Sequence, residues 1–198
     1  MTLLEREPTE GLQVTRPTVL RTARLTLRAP RADDAKAIKS LVNDRRIAEN
    51  TARIPHPYTL KDARTFIASA DGGQPLFVIT REDGRIVGAS GIATLRADGP
   101  EIGYWIGVPY WGNGYATEAA RALVDHAFGE LGYEELRAGA RVTNPASRRV
   151  LEKCGFQWTH VVLQRVRALN ASAPSDRFRL DRALWASLRN WGKVERTA

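Results

Sequence analysis

Gly112, Gly114 and Ala116 stand at alternate positions in WGNGYATEA, directly ahead of an amphipathic helical pattern. Residues without bulk let a ligand approach the main chain. At such a junction the N–H groups of about Asn113 to Thr117, those of Tyr115 and Ala116 included, have no intrahelical acceptor. The helix dipole adds partial positive charge at that end. This is chemistry for an anion, and a pyrophosphate suits it. The stretch is not a P-loop, which needs Lys-Ser/Thr after its last glycine, because Tyr115 and Ala116 follow Gly114. Nor is it a dinucleotide fingerprint, since Thr117 holds the third glycine position and the strand ahead of it belongs to a meander. A strand-to-helix turn that needs glycine for shape alone accounts for the spacing as well.

Other reactive residues are few. Cys154, the one cysteine, invites a covalent mechanism. It falls on the apolar side of its helix beside Val150 and Leu151, where a packing role is the simpler reading. His56, His126 and His160 are scattered, so no metal site is expected. The net charge is +8, and between Arg137 and Lys193 twelve Lys/Arg face only Glu152, Asp176 and Asp181. Such a surface attracts nucleic acid, a polyphosphate or an acidic partner, or is merely solvated. The chain carries no aromatic-interleaved platform and no known DNA-binding motif, which argues against nucleic acid. No apolar run approaches the roughly 18 residues of a membrane span. The first residues lack a secretory h-region. The expectation is a cytoplasmic protein without a membrane partner.

The positioning elements follow from periodicity and punctuation. At 198 residues one domain is expected, over about 18–188, with an irregular arm at 1–17 and a tail at 189–198. Arg24 to Arg28 alternates as a strand. Ala35, Ile38, Leu41 and Val42 predict a first helix. Thr59 and Asp62 form a capping box ahead of a second. Two prolines in IPHPY mark the link between them, about 43–58, as a loop. Residues 76–80, 86–95 and 101–108 read as an antiparallel meander. A helix follows with Ala120, Leu123, Val124, Ala127 and Leu131 inward, then a strand at 136–142. Asn144 as N-cap, Pro145 behind it and Gly155 past the end punctuate another helix. Strands near 156–166 and 177–180 close the chain, with LNASAPS between them as a flexible connection. The sum is an α+β, or mixed α/β, fold with a largely antiparallel sheet.

With these elements in place the chain resembles the GNAT superfamily of N-acetyltransferases. GYWIGVPYWGNGYATEA is similar to its acyl-CoA pyrophosphate motif, Gly114 and Ala116 matching the small positions. Trp111 stands where Gln or Arg is usual, as in the branch resembling ribosomal-protein N-terminal acetyltransferases. LRTARLTLRAPRADDA, IPHPYTLKDARTFI, EIGYWIG, NPASRRVLEKCGF and, more loosely, DRFRLDRALWASL extend the likeness over about residues 20–188.

The resemblance implies a twisted sheet of about seven strands flanked by about four helices and splayed between its fourth and fifth strands. It implies acetyl-CoA as co-substrate, a primary amine as acceptor, and direct attack in a ternary complex. Ile106, Gly107 and Val108 would present backbone to the pantetheine arm, an N–H near Ile106 polarising the thioester carbonyl. Asn113, Gly114, Tyr115, Ala116 and Thr117 would hold the pyrophosphate. Asn144 would contact the pantetheine chain, and Ser147 would lie near the sulfur as candidate acid. Many relatives use a tyrosine for that step, and none stands at a matching place. Glu101 is the candidate base, acting through water, or an ordinary strand-end charge. Glu118 suits the helix dipole, His56 lies on the acceptor-side loop, and Arg148, Arg149 and Lys153 are candidates for the nucleotide's 3′-phosphate or plain surface.

The acceptor is a protein N-terminus, a ribosomal protein's included, or a small amine such as an antibiotic or polyamine. The basic balance favours an acidic one. Two rival readings are a non-catalytic acyl-CoA-binding module and a basic nucleic-acid-associated protein. A monomer or a homodimer fits the chain.

Overall fold

The chain forms one eight-stranded sheet in the order β1-β2-β3-β4-β5-β6-β8-β7, seen in a computed structural model that describes residues 18–95 and 99–191. The expected arm and most of the expected tail lie outside those residues, but the last helix runs to Trp191, past the expected boundary at 188. The strand expected at 24–28 is half of a hairpin, β1 (Val19–Arg21) and β2 (Leu25–Arg28), which gives an eighth strand. Thr22 closes its turn, donating main-chain N–H to the Leu25 carbonyl at 2.9 Å and accepting the Leu25 N–H on its hydroxyl.

The meander is as expected: β3 (Leu76–Arg81), β4 (Ile86–Leu95) and β5 (Gly99–Ile106). Val108, expected as the last residue of β5, belongs instead to a 3₁₀ turn over residues 108–110, with Pro109 inside it. Proline has no N–H to give a ladder.

Helices α1 (Ala35–Val42) and α3 (Leu60–Ala68) cover one face, Thr59 and Asp62 making the expected reciprocal cap. The link between them holds a short helix, α2 (Arg45–Ala48), begun by Asp44, whose carboxylate accepts the Arg46 N–H. Ile47 and Ala48 anchor it by burial. On the other face lie α4 (Tyr115–Gly129), α5 (Pro145–Lys153) and α6 (Arg182–Trp191), packed on the larger core through Leu123, Phe128, Leu136, Phe178 and their neighbours. Leu131 lies past the end of α4 and is 40% exposed, so it is not part of the inward stripe.

The connection LNASAPS is not flexible. β8 (Ala171–Asp181) starts inside it and pairs with β7 (Gln157–Val166) down to Val166↔Ala171. Asn170 makes this possible by taking φ 49°, a left-handed conformation that Asn tolerates.

β5 and β6 (Glu135–Arg141) are parallel and pair only at Glu101↔Arg137 and Ile102↔Ala138. Beyond Ile102 they part. Gly107 donates its N–H to the Val87 carbonyl, so odd-numbered residues of β5 bond to β4. By alternation the main-chain groups of Tyr104 and Ile106 face the gap. This is the expected splay, one strand later in the count because of β1.

Candidate functional site

One cleft of about 940 Å³ runs through the gap. One end is walled by the loop before α4 and by α5, the other by α2, α3 and the ends of β6 and β7.

At the first end Gly112 and Gly114 both have positive φ, 79° and 78°. Other residues pay strain there, so turn shape alone accounts for both glycines. What shape does not account for is the opening around them. A Cβ on Gly112 would meet nothing within 4 Å, and one on Gly114 only Arg24 at 3.5 Å. The first helical bond of α4 is Glu118 N–H to the Gly114 carbonyl. The N–H groups of Tyr115, Ala116 and Thr117 therefore have no helical acceptor, and these residues line the cleft.

The loop is braced from outside. Arg24 donates to the Asn113 carbonyl at 3.0 Å and its guanidinium lies 5.0 Å over the Tyr115 ring. Glu118, assigned from sequence to the dipole, accepts from the Thr22 hydroxyl at 2.6 Å, the Arg24 main chain at 2.9 Å and Arg24 Nε at 2.8 Å. Burial works against its ionisation, but these bonds outweigh it and hold its carboxyl below the usual range. Asn113 turns its amide to the Tyr110 and Trp111 carbonyls. Trp111 donates Nε1–H to the Ile106 carbonyl at 2.6 Å. That leaves the Ile106 N–H as the main-chain donor of this residue on the open side. Gly107 and Val108 do not line the cleft: the Gly107 N–H and carbonyl bond Val87 and Tyr110, and the Val108 carbonyl accepts from the Trp111 N–H.

In mid-cleft Asn144 Oδ1 accepts the Ser147 N–H at 3.1 Å, so its cap role is observed and its Nδ2 is not used in the cap. Ser147 Oγ lies 3.0 Å from the hydroxyl of Tyr104. Sequence reasoning passed over this tyrosine because it sits on β5, not where the resemblance placed one. The strand alternation that turns its side chain toward α5 was the available signal. Tyr104 is partly buried against the larger core, and that burial raises its pKa, against a smaller opposing effect of the Ser147 bond. It is a neutral hydroxyl at physiological pH. Ser90, its register partner on β4, is 3% exposed, lines the cleft and has a hydroxyl without a partner.

At the far end Glu101 is held by Arg177, at 2.6 and 3.3 Å to its two oxygens, with both side chains 13% exposed. Arg177 reaches it across Gly139, where a Cβ would come within 2.8 Å of the guanidinium. The sequence did not reveal this pair, because its partners are 76 residues apart. His56 is exposed and does not line the cleft. His126 is 5% exposed and meets the Phe77 ring edge-on. Cys154 is buried, which pushes its thiol up to about 11 and leaves it inert as a nucleophile. Arg148 is paired with Asp176 at 3.2 Å, whereas Arg149 and Lys153 line the cleft. Among the described residues no His/Cys/Asp/Glu group could hold a metal ion, and no helix is long and apolar enough to cross a membrane.

The sequence over residues 24–157 matches the acetyltransferase (GNAT) domain. The chain therefore belongs to the GNAT acetyltransferase family. It is 43% identical over 68 residues to the FsC-acetyl coenzyme A-N(2)-transacetylase of Aspergillus fumigatus, a match covering 34% of this chain and 28% of that protein. It is 29% identical over 146 residues to the N-acetyltransferase p20 of Bacillus licheniformis, covering 70% and 82%. Among solved structures, a GNAT-family acetyltransferase from Bacillus anthracis superposes with a TM-score of 0.74 at 21% identity, covering 84% of this chain and 99% of that one. A putative ribosomal-protein-serine acetyltransferase from Vibrio cholerae gives 0.65 at 22% identity, covering 83% and 97%. These two support the fold.

Proposed function

We propose that the chain transfers an acetyl group from acetyl-CoA to a primary amine by direct attack in a ternary complex. The observation that carries this reading is the row of unsatisfied N–H groups at the start of α4, opening into the same cleft as Ser147. The pyrophosphate sits on the N–H groups of residues 113–117. The pantetheine arm follows β5 in the gap, and Asn144 Nδ2 meets it. The Ile106 N–H polarises the thioester carbonyl as the amine nitrogen adds to its carbon. The C–S bond then breaks, the amine gives up a proton through water toward Glu101, and the thiolate takes a proton from Ser147 as Ser147 regains one from solvent water. Tyr104 donating to Ser147 Oγ leaves the Ser147 proton free to point at the sulfur. Holding two reactants in one cleft supplies most of the acceleration.

The acceptor is a protein N-terminus or a small amine. The name of the Vibrio ribosomal-protein-serine acetyltransferase favours the first. A non-catalytic acyl-CoA-binding module is the alternative, and it leaves the Tyr104–Ser147 pair without a use. Two measurements decide. Acetyl-CoA at about 100 times its dissociation constant should stabilise the fold by about 2.7 kcal/mol in a thermal-shift assay. Peptide and amine panels should release free thiol. No shift at millimolar acetyl-CoA sinks the reading, and a shift without thiol release favours the binding module.

A further inference from the structure

The acceptor end of the cleft carries six charged side chains: Arg46, Arg53, Asp62, Glu101, Arg141 and Arg167. Both carboxylates are engaged. Glu101 is gripped by Arg177. Asp62 accepts from the Thr59 hydroxyl and N–H, bonds that hold its carboxyl below the usual range. Arg46 is engaged as well, its fork closed on Asp44 at 2.7 and 3.0 Å.

Three guanidiniums remain. Arg141 donates one N–H to the Glu49 carbonyl at 2.9 Å, but its Nε is buried without an acceptor among the described residues. Arginine stays charged and donates only, and a buried donor left unmade is costly. The side chains of Arg53 and Arg167 make no hydrogen bond or ion pair among the described residues, although the charge of Arg167 helps to hold the Asp62 carboxyl below the usual range. All three line the same cleft, and the segments that carry them adjoin: the Arg167 main-chain N–H bonds the carbonyl of Ala52, next to Arg53, and the Arg141 side chain bonds the Glu49 carbonyl four residues before it. The acceptor end therefore offers three guanidiniums with donors to spare against one carboxylate outside an ion pair, that of Asp62, which is already capped by Thr59. Such forks match carboxylate and phosphate. A polycation would meet like charge there.

On the transferase reading above, we infer that the acceptor carries a carboxylate or phosphate near its amine, and that Arg53, Arg141 and Arg167 receive it. The test is kinetic, with matched probes: the peptides Ser-Asp-Glu-Ala, Ser-Asn-Gln-Ala and Ser-Lys-Lys-Ala, and O-phosphoethanolamine against ethanolamine. The acidic member of either set should have a KM about tenfold below its neutral counterpart, rising with salt. The set that responds identifies the source of the anion. Arg53→Gln and Arg167→Gln should erase most of that preference, and Arg167→Glu should turn it toward the lysine peptide. Neither backbone bond depends on these two side chains, so folding is checked simply by the acetyl-CoA thermal shift. Calorimetric titration of the same probes into CoA-saturated protein gives a readout without turnover. Absence of any thiol release would defeat the transferase reading and leave the titration to judge the subsite. Equal or weaker binding of the acidic probes overturns the inference.

Discussion

At the scale of single residues the cleft is decided by how hydroxyls and charges are partnered. The Tyr104 and Ser147 hydroxyls lie 3.0 Å apart, where either can donate, and the phenol also reaches the Ser147 carbonyl at 3.3 Å; the proposed step requires the phenol as donor, since donation from Ser147 would turn its proton away from the cleft. Tyr104→Phe keeps the ring in the core and removes only that donor. A hydrogen bond of this kind contributes about 1 kcal/mol, so kcat should fall about fivefold while KM for acetyl-CoA holds. The same change made in a Ser147→Ala background should cost far less, because the two groups act as one unit. Thiol-release kinetics on the four proteins measure the coupling. If the two losses multiply, Tyr104 serves packing and nothing more. Glu101 shows the same principle with charge. Arg177 fixes it in a position that no local pattern around EIGYW encodes, and only a residue without a side chain at 139 leaves room for that reach.

At the scale of elements, function depends on one junction and one gap. The junction between β5 and α4 holds Gly114 in a left-handed conformation with open space at its α-carbon. Gly114→Glu should abolish stabilisation by acetyl-CoA, since it adds strain, bulk and negative charge where the pyrophosphate is to lie. An unchanged thermal shift in that variant would remove the loop from the site. Much of this scale was legible in advance. Turn chemistry and helix caps act within a few residues, so Thr59, Asn144 and Gly155 marked real ends. The GNAT resemblance placed the splay. What could not be read were features set by distant partners: the β1–β2 hairpin held to α4 through Glu118, the β8 strand hidden in LNASAPS, and the arginine cluster around residues 49–53. LNASAPS looks like a linker by composition. Pairing along β7 overrides that, because edge pairing satisfies its backbone and Asn170 turns the corner.

At the scale of the whole molecule, ionisation sets the limits of stability on both sides of neutrality. Asp34, Asp44, Asp62, Glu118 and Glu135 all have carboxyls held below the usual range. For Asp34 burial opposes the shift, and the Arg28 fork with the Arg31 N–H overcomes it. A carboxylate that holds its proton less tightly when folded contributes fully above its unfolded pKa, near 4, and the contribution is lost as pH falls through the folded value. On the alkaline side burial pushes Cys154 up to about 11 and Tyr58 up to about 12, and it raises Tyr104 as well. These groups stay neutral in the fold while the unfolded chain ionises first, from about pH 8.5 for a thiol and about 10 for a phenol. Their contribution is complete below those values and declines as pH rises beyond them. Urea denaturation midpoints should accordingly be level between about pH 5.5 and 8 and fall on both sides. Asp34→Asn and Glu118→Gln should each lower the plateau and make the acid flank shallower. Cys154→Val, which keeps an apolar group in the same pocket, should postpone the first part of the alkaline decline. A midpoint that climbs below pH 4, or that rises steadily toward pH 10, would mean that these shifts do not govern the stability of the fold.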